Sequence, residues 1–249
     1  MRARPALIAA ACAAFLVAAA PAPAAAPARA GSVTFLAGDA TRTAAGKAEK
    51  LSVGSAVFQG DVLETQKRTR LEVKLADQSV LRLGPSSRAA VQDAVFGKSV
   101  EERKVSAKLL VGKVWANVAK AVGGEQRFEV QTENAVAGVR GTTFRVDAAN
   151  DRSVVVKVYS GTVAVASGPI PRPEHQGAGK TEVAGGKPER RQIAGPQEVS
   201  REQWERIVTS MMEVRVSSQG VPTDPQTFAL ASAGQDEWEE WNRTRDAQK

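Results

Sequence analysis

The sequence predicts an all-β protein carrying a short helical extension at its C-terminal end. From Gly31 to about Val165, short runs of Val, Leu and Phe recur roughly every ten residues between Gly, Asp, Ser, Asn and Pro. Within one run Leu71, Val73 and Leu75 alternate with Arg70, Glu72 and Lys74, the period-two pattern of a half-buried strand. Only beyond residue 196 does the period change to a helical one. The 24% charged and 43% hydrophobic fractions are those of a folded chain, and 249 residues can bury a core without staples.

Residues 1–30 read as a signal peptide. Arg2 and Arg4 precede an apolar run from Ala6 to Ala20, and Ala28-Arg29-Ala30 supplies a small-x-small cleavage pattern. The run is shorter than the roughly 20 residues a membrane span needs, so no stable span is expected in the mature chain. The apolar sequence continues past Cys12, so cleavage after about Ala30 is expected rather than lipidation at Cys12. The mature chain is then periplasmic and has no thiol. The leader removes three Arg from the 34 Lys+Arg and leaves 27 Asp+Glu untouched, so the net charge falls from +7 to +4.

The β domain is expected over 31–195, with its core at 31–165. Strands are expected at Gly31–Leu36, Ala56–Phe58, Asp61–Thr65, around Leu71–Leu75 and Leu81–Leu83, and at Leu109–Val118. Others are expected at Arg127–Gln131, Thr142–Asp147, Val154–Tyr159 and Thr162–Val165, the last two joined by a tight hairpin at Ser160-Gly161. Four glycines or prolines in 166–173 and two more glycines by 179 make residues 166–180 a loop. Thr181–Ala184 and Arg191–Ala194 flank Gly185-Gly186-Lys187-Pro188 and could close the sheet as a hairpin over 181–194.

The C-terminal extension, 196–249, reads as helical. Trp204, Ile207, Val208, Met211 and Met212 share one helical face, with Ser200 and Gln203 as a capping box. A second helix is expected over Gln235–Ala247, with Glu239 and Arg243 spaced as an ion pair. Trp238 and Trp241 lie on one face of it. They either pin the helix to its own domain or anchor a partner protein, since Trp is favoured in both settings.

Composition narrows the chemistry. One Cys and one His cannot assemble a Cys/His zinc site, and His175 stands in the Pro/Gly-rich loop without a fixed orientation for base catalysis. There is no phosphate loop ending in Lys-Ser or Lys-Thr. Asp61, Glu64, Glu72 and Asp77 leave carboxylate chemistry formally open, but Asp61 and Asp77 sit in turns where Asp satisfies local backbone groups. Asp147, Asn150 and Asp151 lack calcium-loop spacing. Arg68, Arg70, Lys74 and Arg82 alternate with apolar residues as the wet face of strands, and the 5% aromatics do not interleave with them, which argues against nucleic acid. A non-enzymatic protein without a cofactor or metal is expected.

The most distinctive string is Asn134 to Phe144, in which Gly138 and Gly141 bracket Val139-Arg140. Arg140 either pairs with an internal carboxylate or presents its fork to a partner or ligand. At these residues the sequence resembles the FecR family, named for the ferric citrate signalling regulator of Gram-negative envelopes. Gly60-Asp61-Val62-Leu63-Glu64-Thr65 is similar to a family signature, as is the hairpin around Asp77-Gln78-Ser79, with Gln78 in place of the usual Gly. Leu110–Val114, Phe128–Thr132 followed by Gly138-Val139-Arg140-Gly141-Thr142 and Phe144, and Tyr159–Val163 with its Gly161 complete the resemblance over 31–165.

The resemblance implies one β domain, a sandwich or a short coil of strands, serving recognition rather than catalysis. Signalling members join a cytoplasmic segment and a membrane helix to this domain, and here a cleavable leader stands in their place. A free-standing periplasmic signal-receiving module with an envelope protein partner is therefore expected, with Arg140, Thr142, Trp115, Trp238 and Trp241 as candidate contacts. Gly60, Asp61, Thr65, Asp77, Gly138, Gly141 and Gly161 are expected to be structural. The alternative is a binder of envelope glycan, peptidoglycan or polysaccharide, through Trp115 or the C-terminal Trp pair.

Overall fold

The structure, a computed structural model, describes residues 27–96, 104–120, 127–168 and 205–248. Seventeen strands and one helix occupy them. The first strands are β1 (Arg29–Ala37), β2 (Ala40–Ala44), β3 (Lys47–Lys50), β4 (Ala56–Phe58), β5 (Val62–Thr65) and β6 (Arg70–Leu75). Next come β7 (Val80–Leu83), β8 (Arg88–Val95), β9 (Lys104–Asn117), β10 (Arg127–Gln131), β11 (Ala135–Val139) and β12 (Thr143–Ala148). The last are β13 (Val154–Ser160), β14 (Thr162–Ser167), β15 (Glu205–Thr209), β16 (Met212–Val216) and β17 (Gln226–Thr227), followed by helix α1 (Glu237–Ala247).

Strand pairing forms two layers. In sheet A the order is β4-β1-β6-β7-β9-β12-β13-β16-β17. In sheet B it is β3-β2-β5-β8-β9-β10-β11-β14-β15, antiparallel except for β9 beside β10. Strand β9 belongs to both layers, pairing in sheet B up to Val111 and in sheet A from Gly112 onward. Gly112 takes φ +98°, and a Cβ there would stand 2.5 Å from Ser87 Cα, so only glycine passes between the layers at that point. The inward faces, Leu71, Val73, Leu81 and Val114 from one layer and Leu63, Leu109, Phe128 and Val163 from the other, belong to one apolar core.

The chain crosses repeatedly between the layers, and its corners are tied to one another. Gly161 separates β13 in sheet A from β14 in sheet B, with φ +93°. Its N–H donates to Ser210 Oγ at the corner between β15 and β16, and the Thr142 hydroxyl donates to Thr162 O from the corner between β11 and β12. The body is therefore the short coil of strands, closed into two layers. The expected Ser160-Gly161 hairpin is corrected to such a corner. A two-residue spacing fits either geometry, but Val154, Val156 and Val158 face Val163 and Val165 across a shared core, so the strands oppose each other and do not pair.

The expected helix built on Trp204 to Met212 is also corrected. Residues 205–209 and 212–216 are β15 and β16, which extend β14 and β13 respectively. Ile207, Val208, Val214 and Val216 are β-branched and suit the pleat, and the backbones of β14 and β13 offer partners that an isolated helix lacks. Met211 sits in the turn at φ +62°, and Met212 packs against the core. The second expected helix stands, capped by Asp236, whose carboxylate accepts from Glu239 N–H. The other expected strands are present with similar bounds, whereas β2, β3, β8, β11 and β17 have no expected counterpart. Cys12, His175, the capping box at Ser200 and Gln203, Trp204 and the 181–194 hairpin lie outside the described residues.

Candidate functional site

Alternation places every second residue of sheet A on its outer face, and register aligns these residues into a row. Phe35 lies opposite Glu72, Glu72 opposite Arg82, and Arg82 opposite Trp115. Trp115 lies opposite Arg145, Arg145 opposite Lys157, and Lys157 opposite Glu213. An outer row of this composition would ordinarily face water. Here Arg82 is 0% exposed, Trp115 1% and Arg145 4%, because α1 and the segment leading to it lie across them. The expectation that Arg82 belongs to a wet face is thereby corrected.

The helix is held by interlocking ion pairs. Arg82 Nε donates to Glu72 Oε2 at 2.7 Å, while its Nη2 stands 2.7 Å from Asp246 Oδ1 and its Nη1 donates to Asn242. Arg145 grips Asp147 through Nε and Nη2, each at 2.7 Å, and donates to Asp236 Oδ2 from Nη1 at 2.6 Å. Glu72 also accepts from Arg245 of the helix and from the Thr34 hydroxyl. Burial alone would raise the Glu72 carboxyl, but the bonds from Arg245, Arg82 and Thr34 outweigh it and hold the group at about 2. Burial and the neighbouring Glu239 carboxylate push the Tyr159 phenol well above its ordinary range.

Aromatic rings fill the space between these pairs. Trp115 packs on Tyr159 at 4.3 Å between centroids, and its indole N–H donates to Asp246 Oδ2 at 2.9 Å. Tyr159 donates to Glu239 Oε2, whose other oxygen accepts from Ala231 N–H. Glu239 therefore turns inward, and the expected Glu239–Arg243 surface pair is corrected. Trp238 is laid on Gly84, where an added Cβ would come within 3.2 Å of its ring. Trp241 stacks on Trp238 and touches Phe35, each at 5.3 Å. The Trp pair thus docks in cis.

The other candidates are distributed differently. Trp115 is a buried pillar with no open ring face. Thr142 is 1% exposed and spends its hydroxyl on Arg140 O and Thr162 O, which makes it a corner tie. Arg140 is exposed on the corner between β11 and β12, apart from the outer face of sheet A. Gly138 sits within β11 opposite Ala164 of β14, Gly141 follows Arg140 in the same corner at φ +58°, and Gly60 turns the chain into β5 at φ +90°. Buried Asp61 accepts from Phe58 N–H and faces Arg42 at 3.5 Å. Thr65 donates to Gly84 O at 2.6 Å, and Asp77 holds Ser79 through its N–H and hydroxyl. Sequence reasoning missed Arg82, Glu72, Arg145, Tyr159 and Gly84. The available signal was the pair of aromatics, Trp115 and Tyr159, at outward positions of their strands, which a face left to water would not ordinarily carry. Among the described residues no cluster of His, Cys, Asp and Glu could hold a metal ion, and no helix is long and apolar enough to cross a membrane.

Residues 61–164 match the family model described as FecR protein. The chain carries a FecR domain. The FecR domain runs from the Asp61 corner into β14, so it contributes Glu72, Arg82, Trp115, Arg145 and Tyr159 to the covered face, whereas α1 lies beyond it. Two crystal structures of a candidate anti-sigma factor from Parabacteroides distasonis ATCC 8503 are similar to the chain, with TM-scores of 0.45 and 0.44 at 17% and 16% identity. In both, the match covers 67% of this chain and 59% of the other. No curated protein matches the chain.

Proposed function

We propose that this protein is an exported, non-enzymatic recognition module of the bacterial envelope that works by protein–protein interaction, in signal relay or scaffolding. The observation that carries this reading is the FecR domain's outer face. Two fixed Arg forks, an aromatic pillar and a glycine notch are arranged there to hold a helix, which is the organisation of a protein-binding surface. The glycan reading needs an open ring face on Trp115, Trp238 or Trp241, and these rings are engaged with one another, with Phe35 and with Tyr159.

Export rests on the leader pattern in residues 1–30. Strand β1 begins at Arg29, Ala30 is 0% exposed with its carbonyl accepting from Ala76 N–H, and Ala28 O accepts from Gln59 N–H. Cleavage after Ala30 would cut into the strand. Cleavage before Arg29 keeps it whole, and Ala22-Pro23-Ala24 and Ala26-Pro27-Ala28 offer the same small-x-small pattern.

The test is chemical cross-linking in intact cells, followed by purification of the tagged protein and mass spectrometry. One recurrent envelope protein near stoichiometry is expected. Recovery of glycan fragments alone would replace this reading with the glycan one.

A further inference from the structure

We infer that the outer face of sheet A is a helix-binding site which α1 fills in cis, and that a partner protein takes the same face in trans by presenting an acidic helix with two aromatic residues spaced i, i+3. This deepens the recognition reading above and rests on it.

Four observations support displacement. First, the face keeps its own charge balance when the helix leaves. Arg82 retains Glu72 and Arg145 retains Asp147, both within the sheet, so departure of α1 leaves neither buried guanidinium without a carboxylate. A segment placed there only to complete a permanent core would meet an apolar sheet face instead. Second, the complementarity is specific. The face offers buried cations and the helix offers Asp236, Glu239 and Asp246, with acidic residues in its first turn where the helix dipole favours them. Third, α1 spans 11 residues, too short to persist alone, so its helical state depends on this docking. Fourth, the fit is incomplete, because the Trp238 indole N–H is buried without a hydrogen-bond partner. The FecR domain provides most of the receptor and the sequence beyond it provides the occupant, so the two parts are separable along the chain.

The probe is a fluorescent synthetic peptide of residues 228–248, titrated into the full mature chain and followed by anisotropy. Two release variants alter only α1 and its N-cap: W238A/W241A, and D236K/D246K as a second route if the first misfolds. Circular dichroism checks that the β body is retained. Either folded release variant should bind the peptide at least tenfold more tightly than the wild type, in which α1 competes at the high effective concentration of a tethered segment. Binding should weaken as salt rises. Adding Gly84→Val to a release variant should abolish it, because the Trp238 notch is closed.

The inference is overturned if folded release variants fail to bind, if wild type binds as tightly as they do, or if Gly84→Val leaves binding unchanged. Failure of the wider reading looks different: the peptide binds, yet no envelope protein is cross-linked in cells.

Discussion

The guanidinium of Arg82 on β7 is divided between Glu72 on the neighbouring strand and Asp246 on α1, at 2.7 Å to each. One buried cation therefore couples the FecR domain to the segment that follows it. Removing a partner from a buried pair leaves an uncompensated charge, which costs far more than losing a surface pair. Arg82→Ala is expected to destabilise the protein by about 3–5 kcal/mol in urea unfolding. Arg88→Ala breaks the exposed 3.9 Å contact with Glu64 and should cost less than about 1 kcal/mol. Equal effects would show that Arg82 is solvated in the folded protein.

Stability should depend on acid through Glu72. Its carboxyl lies near 2 in the folded protein against an ordinary 4.5, so the folded state binds the proton less readily than the unfolded one. The contribution is full above about 4.5 and is lost progressively as pH falls from there towards 2. Its size is on the order of 3 kcal/mol. Glu72→Gln should flatten the pH dependence of the melting temperature below about pH 4.5 while lowering stability at neutral pH. A profile unchanged by the substitution would assign the acid sensitivity elsewhere.

Gly84→Ala tests the notch beneath Trp238. The added methyl would lie 3.1 Å from Lys113 Cβ and 3.2 Å from the Trp238 ring, so one of them must move. A cost of about 1–3 kcal/mol is expected, concentrated in α1. Hydrogen exchange should show its amides losing protection while those of β12 and β13 keep theirs. Uniform loss across the body would mean that helix and sheet unfold as one unit.

Gly112 should be among the least replaceable positions. Gly112→Ala places a Cβ 2.5 Å from Ser87 Cα at a φ of +98°, so the clash is with backbone and cannot be relieved by a side-chain rotation. A loss on the order of 3 kcal/mol or more is expected, measured as a fall in denaturation midpoint or as failure to accumulate soluble protein. A stable, soluble Gly112→Ala protein would contradict the strand crossing described for β9.

Intact mass of the protein purified from whole cells should place its first residue at or before Arg29. A mature chain beginning at Gly31 would show that β1 forms without Arg29 and Ala30, and an uncleaved chain would remove the export reading itself.

Most strands were legible because period-two alternation reports a buried face regardless of which strand lies beside it. Leu71-Val73-Leu75 and Val154-Val156-Val158 needed no partner to be recognised. Strands β2, β3, β8, β11 and the two-residue β17 were missed, and their short or small-residue runs, such as Ala135-Val136-Ala137, carry little alternating contrast. The β15–β16 segment was misread because Ile207, Val208, Met211 and Met212 satisfy a helical spacing as well as a strand one, and only the waiting edges of β14 and β13 decide between them.

What the sequence determined by itself was the inward pattern: an all-β body, its turn residues, a short C-terminal helix, and the motifs of a FecR domain. These depend on local chemistry, on which residues exclude water and which accept a positive φ. What only the tertiary structure decided was the fate of the outward residues. Arg82, Glu72, Arg145 and Trp115 are individually suited to solvent, to an ion pair or to a partner. Their meaning changed when a helix distant in sequence was laid across them, because burial of a charge depends on what covers it and not on its neighbours along the chain.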